Sequence, residues 1–285
     1  MSDAASSIDG RPVALVGSGT LGQQIAVTFA STGSEVRIFD QDPDRAEAAK
    51  RFAEDKLPEA AAARGAKPGN VTVASSLASA VDGAWMVVEA IPERLDLKKK
   101  IFAQLDQLAS ADAILASNSS SYPSSQFIDD VSRPERVVNT HYYLGGAAVE
   151  VMSCGKTDEK VIRFLMDRLP DYGLVPFEVK AESVGFIFNR IWAALKRESL
   201  LVVAEGVATP EEVDRIACVQ TGSKYGPFRQ MDLVGLDVAL SIEEHYAEVR
   251  DDVPKAAAEL LKSYVDRGKL GVKSGSGFYD DYAKR

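Results

Sequence analysis

Side chains suited to metal or thiol chemistry are scarce: the chain has two cysteines and two histidines in 285 residues. Cys154 and Cys218 make no metal-ligand spacing, so no metal is expected, and reduced structural thiols are the bland reading. Positive charge is also short. Lys and Arg number 33 against 42 Asp and Glu, a formal net charge of −9 that argues against nucleic acid or an anionic membrane as main partner. An anionic ligand remains open, because backbone amides can hold phosphate locally. No apolar run approaches the ~18 residues that span a bilayer. Residues 1–10 lack the basic flank and apolar core of a signal peptide. They read as a disordered tail, and the expected location is cytoplasmic.

What is present is an ordinary globular composition, 46% hydrophobic and 26% charged, in a length that suits one or two domains. Short β-branched runs at 12–16, 35–39, 71–74, 85–90, 113–117, 136–140 and 174–179 predict strands. Helical patterns at 20–31, 43–64 and 94–109 lie between them. This alternation predicts an α/β doubly wound parallel sheet over 11–180. From 181 the character changes to helical patterns beginning near Phe186 and continuing at 210–219, 235–249 and 254–267. An all-helical domain over 181–285 is expected. Its first helix is more apolar than a surface helix needs, which suits burial against a second subunit or a core within one subunit.

The first strand candidate runs into Gly17-Ser18-Gly19-Thr20-Leu21-Gly22, and a helix pattern follows at once. Gly17 allows the sharp turn, Gly19 lets backbone approach a pyrophosphate, and Gly22 lets the helix pack on the sheet. Asp40 closes the next strand, 18 positions after Gly22. A carboxylate there accepts ribose hydroxyls and repels a 2′-phosphate. This context predicts a Rossmann-type dinucleotide site, the alternative being a tight structural turn, with NAD favoured over NADP; Arg37 and Arg45 lie near enough in sequence to keep NADP open.

Groups suited to proton transfer lie beyond the nucleotide motif. Ser117-Asn118-Ser119-Ser120 follows a strand candidate, and its small polar groups can bond a ligand oxygen or simply form a loop. His141 follows Val137-Val138-Asn139-Thr140, and a neutral imidazole can take the proton of an alcohol as hydride leaves. Glu150, within Val149-Glu150-Val151-Met152, is a carboxylate suited to orient that ring. Asn189 opens the helical part and serves either this cleft or a helix cap.

Together these segments resemble the 3-hydroxyacyl-CoA dehydrogenases over nearly the whole chain. The resemblance includes Val87-Val88-Glu89-Ala90-Ile91-Pro92-Glu93, His141-Tyr142-Tyr143 and Gly185-Phe186-Ile187-Phe188-Asn189-Arg190. It continues through Gly226-Pro227-Phe228 and Asp232-Leu233-Val234-Gly235 to Gly271-Val272-Lys273-Ser274-Gly275-Ser276-Gly277-Phe278-Tyr279. It implies an NAD-dependent oxidoreductase that interconverts a secondary alcohol and a ketone. Ser120 matches the serine at the reacting oxygen, His141 the general acid/base, Glu150 its carboxylate, and Asn189 a holder of substrate oxygen. Glu93, Lys98 and Lys273 match cofactor contacts beside the 17–22 turn, Asp40, Asn118 and Ser120. The resemblance also implies a homodimer through the helical domain and a small-molecule substrate, an acyl-CoA in the family.

The chain departs from that pattern in three places. His141-Tyr142-Tyr143-Leu144-Gly145 stands where the family has His-Phe-Phe-Asn-Pro, so Leu144 removes an amide. The connection from His141 to Glu150 is short for the family. The stretch from Asp40 to Val71 is too short for the protruding helical pair that cradles CoA in many relatives. Lys56 and Lys67 remain as phosphate contacts or as ordinary surface lysines. These departures leave open a non-CoA substrate (a hydroxy acid, a ketone or a C=N bond) and, as a third reading, a non-catalytic cofactor-binding protein.

Overall fold

Alternate residues of the short central strands enter two different cores. The structure, a computed structural model, describes residue 8 and residues 10–282. In β1 (Val13–Val16), Val13 and Leu15 pack into one apolar cluster, while Ala14 and Val16 pack into the other. That two-sided burial follows from the period-2 direction of strand side chains and requires helices on both faces. They are supplied by α1 (Thr20–Ala30), α2 (Pro43–Ala63), α3 (Leu77–Val81), α4 (Leu95–Leu108) and α5 (Glu159–Arg168). The remaining strands are β2 (Val36–Phe39), β3 (Val71–Val73), β4 (Met86–Glu89), β5 (Ile114–Ser117), β6 (Val137–Tyr142), β7 (Ala148–Ser153) and β8 (Val175–Val179).

The sheet order is β3-β2-β1-β4-β5-β6-β7-β8. The order reverses between β1 and β4, which opens a crevice at their C-terminal ends. All pairings are parallel except β6 with β7. The expected Rossmann-type sheet is therefore present, with one antiparallel step that the expectation of parallel strands lacked. Its cause is the short turn from Tyr143 to Ala147, which cannot carry a crossover. β7, α3 and α5 were also missing from the expected elements.

The chain divides into two compact units between Ile187 and Phe188. Of the expected N-terminal tail, residues 1–7 and 9 lie outside the described residues, while Ile8 is buried in the first core. The second unit holds α6 (Phe188–Ala204), α7 (Pro210–Thr221), α8 (Pro227–Val234), α9 (Leu236–Val249) and α10 (Lys255–Val265). The start of α7 is written in the sequence: Thr209 and Glu212 form a capping box around Pro210. Leu200, Phe228, Met231, Leu261 and Phe278 form this unit's core. Buried Asp232 accepts the Phe278 and Tyr279 amides at 2.9 and 3.0 Å, fixing the last segment to α8. α8 was absent from the expected helices.

Candidate active site

The crevice at the β1–β4 switch is a cleft of about 650 Å3, lined by Gly17–Gly22, Asp40, Arg45, Glu93 and Asn118 among others. Gly17 has φ +100°, and a Cβ there would stand 2.5 Å from the Ala90 carbonyl oxygen. A Cβ on Gly22 would meet the Gly17 carbonyl oxygen at 2.5 Å, so α1 can approach β1 this closely only with glycine. At Gly19 a Cβ would meet nothing within 4 Å, so this backbone faces open space. Gly19 caps α1 without a side-chain hydrogen bond, an arrangement in which first-turn amides can receive an anion. These features fit a dinucleotide pyrophosphate.

Asp40 marks the far end of the same cleft. One carboxylate oxygen accepts the Ser18 amide and hydroxyl at 2.9 and 2.6 Å, and the other accepts the Asp42 amide at 3.0 Å. Burial pushes the Asp40 carboxyl up, but these hydrogen bonds and the Arg45 charge outweigh it and hold it below the usual range. The group is an anion with acceptor capacity left for hydroxyls.

Below the cleft, Glu89 ends β4 fully buried. Its oxygens accept Lys98 Nζ at 2.9 and 3.1 Å, the Ser117 hydroxyl at 2.6 Å and the Ile91 amide at 2.8 Å. Lys98 is 1% exposed and also lies 3.3 Å from Glu93. It therefore does not line the cleft as the expected cofactor contact would. Its place on α4 with Ile101, Phe102 and Leu105 turns it inward to neutralise the buried Glu89 carboxylate. Glu93 does reach the cleft. It accepts the Ser120 amide at 2.6 Å, the Ser119 hydroxyl at 2.9 Å and the Ser121 amide at 3.3 Å. Burial pushes Glu93 up, but the Lys98 charge and these serine bonds prevail and hold it low. The 119–121 turn, with the Ser120 hydroxyl 3.2 Å from Glu93, is thus held by a carboxylate. Asn118 presents its carbonyl oxygen to the Tyr142 amide at 3.0 Å, linking the end of β5 to β6.

His141 lies within β6 rather than after it, and stands directly opposite Glu150 of β7. Its Nδ1 is 3.5 Å from a Glu150 oxygen and makes no hydrogen bond among the described residues. The same oxygen accepts the Tyr143 hydroxyl. The other Glu150 oxygen accepts the Ile187 amide at 2.8 Å. The His141 ring stacks on Phe186 with centroids 5.0 Å apart and meets the Tyr143 ring edge-on at 4.6 Å. Phe186 is held at φ +54°, the one non-glycine residue with positive φ among those described. Such backbone is costly for a bulky residue and is retained where surrounding contacts fix it. The 183–187 turn thus sets a ring under His141 and an amide on Glu150.

Asn189 is the second residue of α6, and Lys273 pairs with Asp237 at 2.5 Å, both within the second unit. Sequence reasoning brought out His141, Glu150, Ser120 and the glycine turn, and missed Glu89, Tyr143 and Phe186 as parts of the site. A carboxylate closing a run of valines was the available signal for Glu89.

The family model for the NAD-binding domain of 3-hydroxyacyl-CoA dehydrogenase matches residues 12–182, and that for the C-terminal domain matches 185–281. A probable 3-hydroxybutyryl-CoA dehydrogenase of Bacillus subtilis is 32% identical, covering 95% of this chain and 97% of that protein. The 5-formyl-3-hydroxy-2-methylpyridine 4-carboxylate 5-dehydrogenase of Mesorhizobium japonicum is also 32% identical, covering 94% and 90%. A solved diketoreductase structure, 33% identical, superposes with a TM-score of 0.81 over 94% of this chain and 98% of that one. The chain therefore belongs to the 3-hydroxyacyl-CoA dehydrogenase family and is an NAD-dependent oxidoreductase.

Proposed function

We propose that this chain interconverts a secondary alcohol and a ketone, with His141 as acid–base group and Glu150 as its carboxylate partner. The observation that carries the reading is their direct opposition in the β6–β7 register. Bound NAD supplies the acceptor or donor of hydride. In oxidation, His141 takes the hydroxyl proton and Glu150 stabilises the imidazolium; in reduction, the proton returns. Ser120, held through its amide by Glu93, steadies the substrate oxygen, and the family resemblance gives Asn189 the same task. Gly17–Gly22, Asp40, Glu93, Asn118 and Ser120 form the cofactor set in the first unit. Lys98 acts on it through Glu89 and Glu93, and Lys273 keeps its place in the set by resemblance alone.

An acyl-CoA is the substrate class that the family name favours. A CoA-free compound is the second reading, favoured by the single helix α2 between β2 and β3 in place of a protruding pair. The Mesorhizobium relative, named for a substituted pyridine, supports the same alternative. Assaying acetoacetyl-CoA beside CoA-free ketones and cyclic imines tests the choice. A CoA enzyme turns over acetoacetyl-CoA fastest; preference for the free compounds establishes the alternative.

A homodimer through the helical unit belongs to the same proposal. Phe188, Ile191 and Leu195 are 54%, 62% and 50% exposed along one stripe of α6. The proposed address is the cytoplasm, where the two free thiols are chemically at home.

A further inference from the structure

One Glu150 oxygen faces two claimants. His141 Nδ1 stands 3.5 Å from it without a hydrogen bond, and the Tyr143 hydroxyl donates to it. We propose that Tyr143 is a positioning residue of the acid–base pair: its hydroxyl competes with His141 Nδ1 for this oxygen, and so limits how strongly Glu150 supports charge on the imidazole. The catalytic consequence rests on the dehydrogenase reading above, whereas the competition is readable without substrate.

Tyr143 follows β6 immediately, and its ring lies edge-on to His141 at 4.6 Å, so one short segment carries both the base and its competitor. The second Glu150 oxygen is committed to the Ile187 amide at 2.8 Å. An imidazolium that claims the first oxygen must share it with the phenol or displace it, which weakens one charge-assisted hydrogen bond to make another. Burial and the bond to Glu150 both push the Tyr143 phenol above its ordinary range, so it stays a donor.

Among the described residues, the elements packed most extensively on β6 carry few ionisable side chains. β6 packs against β5, β7 and the short turn Ser124–Gln126. β5 and that turn carry no ionisable side chain, and β7 carries Glu150 alone. The 183–187 turn contributes Phe186 and no charge. Glu93 is bonded to the amides and hydroxyls of the 119–121 turn.

NMR titration of the histidine ring signals tests the proposal, since the chain has His245 as the single other histidine and an internal reference. Tyr143→Phe keeps the ring and removes the donor. It should raise the His141 midpoint by about one pH unit, in the range an adjacent carboxylate exerts on a histidine. The same change in a Glu150→Gln background should leave the midpoint where it was. In the oxidative direction, the rise of kcat/KM with pH should move upward with that midpoint. Tyr143→Leu, which removes ring and hydroxyl together, should shift the midpoint in the same direction if Tyr143→Phe does not fold. An unchanged or lowered midpoint in the variant overturns the proposal, as does an equal shift in the Glu150→Gln background. A raised midpoint in a protein that turns over no alcohol or ketone leaves the competition standing and removes the dehydrogenase reading instead.

Discussion

Lys98 and Glu89 form an ion pair closed to solvent, the ammonium 2.9 Å from one carboxylate oxygen and the two side chains 1% and 0% exposed. The pair joins α4 to the end of β4 and, through Glu93 at 3.3 Å, to the turn that carries Ser120. The serine's position thus depends on Glu93 at the cleft and, behind it, on a pair of charges closed to solvent.

Breaking this pair is expected to be expensive. Lys98→Met leaves Glu89 buried without its cation and should lower stability by about 3–5 kcal/mol. Adding Glu89→Gln to it should cost less than the two single changes summed, because the uncompensated charge is gone. Urea unfolding of the four proteins gives the numbers; a Lys98→Met loss below about 1 kcal/mol, the scale of a surface pair, contradicts a structural role for the buried pair.

Asp40 is the residue proposed to set cofactor choice. Asp40→Ala removes a charged acceptor and should weaken NAD binding by about 10- to 100-fold, the scale of one hydrogen bond to a charged group. NADP, which the carboxylate repels, should lose far less. Fluorescence titration with both reduced cofactors decides this, and equal losses refute the assignment.

Acid should release the segment that leads into β6. Asp106 accepts the Ser132 hydroxyl at 2.6 Å, the Ser132 amide at 2.8 Å and Arg136 at 2.9 Å. Burial raises the Asp106 carboxyl, but Ser132 and Arg136 outweigh it and hold it below its ordinary value. A depressed folded value means the stabilisation is full above the ordinary carboxylate range and disappears as pH falls through the folded value. Asp106→Asn should therefore melt well below the parent at pH 7, with the gap closing toward pH 3. A gap independent of pH shows that the charge contributes nothing.

The glycine turn and Asp40 were legible because backbone geometry restricts the choice of residue there: a Cβ at Gly17 or Gly22 collides at 2.5 Å. Apart from β7, the strands of the first unit were legible from their β-branched runs, and in the central ones burial on both faces leaves little room for polar residues. His141 and Glu150 stand out individually, but their opposition depends on the β6–β7 hairpin, and residues 149–152 are not among the predicted strands. The Gly145-Gly146 pair between two apolar runs was the cue, with Gly145 at φ +68°. The burial of Lys98 was hidden, because Lys98, Lys99 and Lys100 together resemble a solvated face. Its spacing to Ile101, Phe102 and Leu105 is what marks it as the inward one. Tyr143 and Phe186 could not be placed from sequence, because their roles arise from a turn and a register that bring distant segments together.

The central claim is that His141 moves the proton. Its most direct test measures NAD binding and steady-state turnover together in His141→Ala, on whichever ketone the parent protein reduces. A loss of about 100- to 10,000-fold in kcat with cofactor affinity retained is expected. Turnover close to that of the parent protein would contradict it.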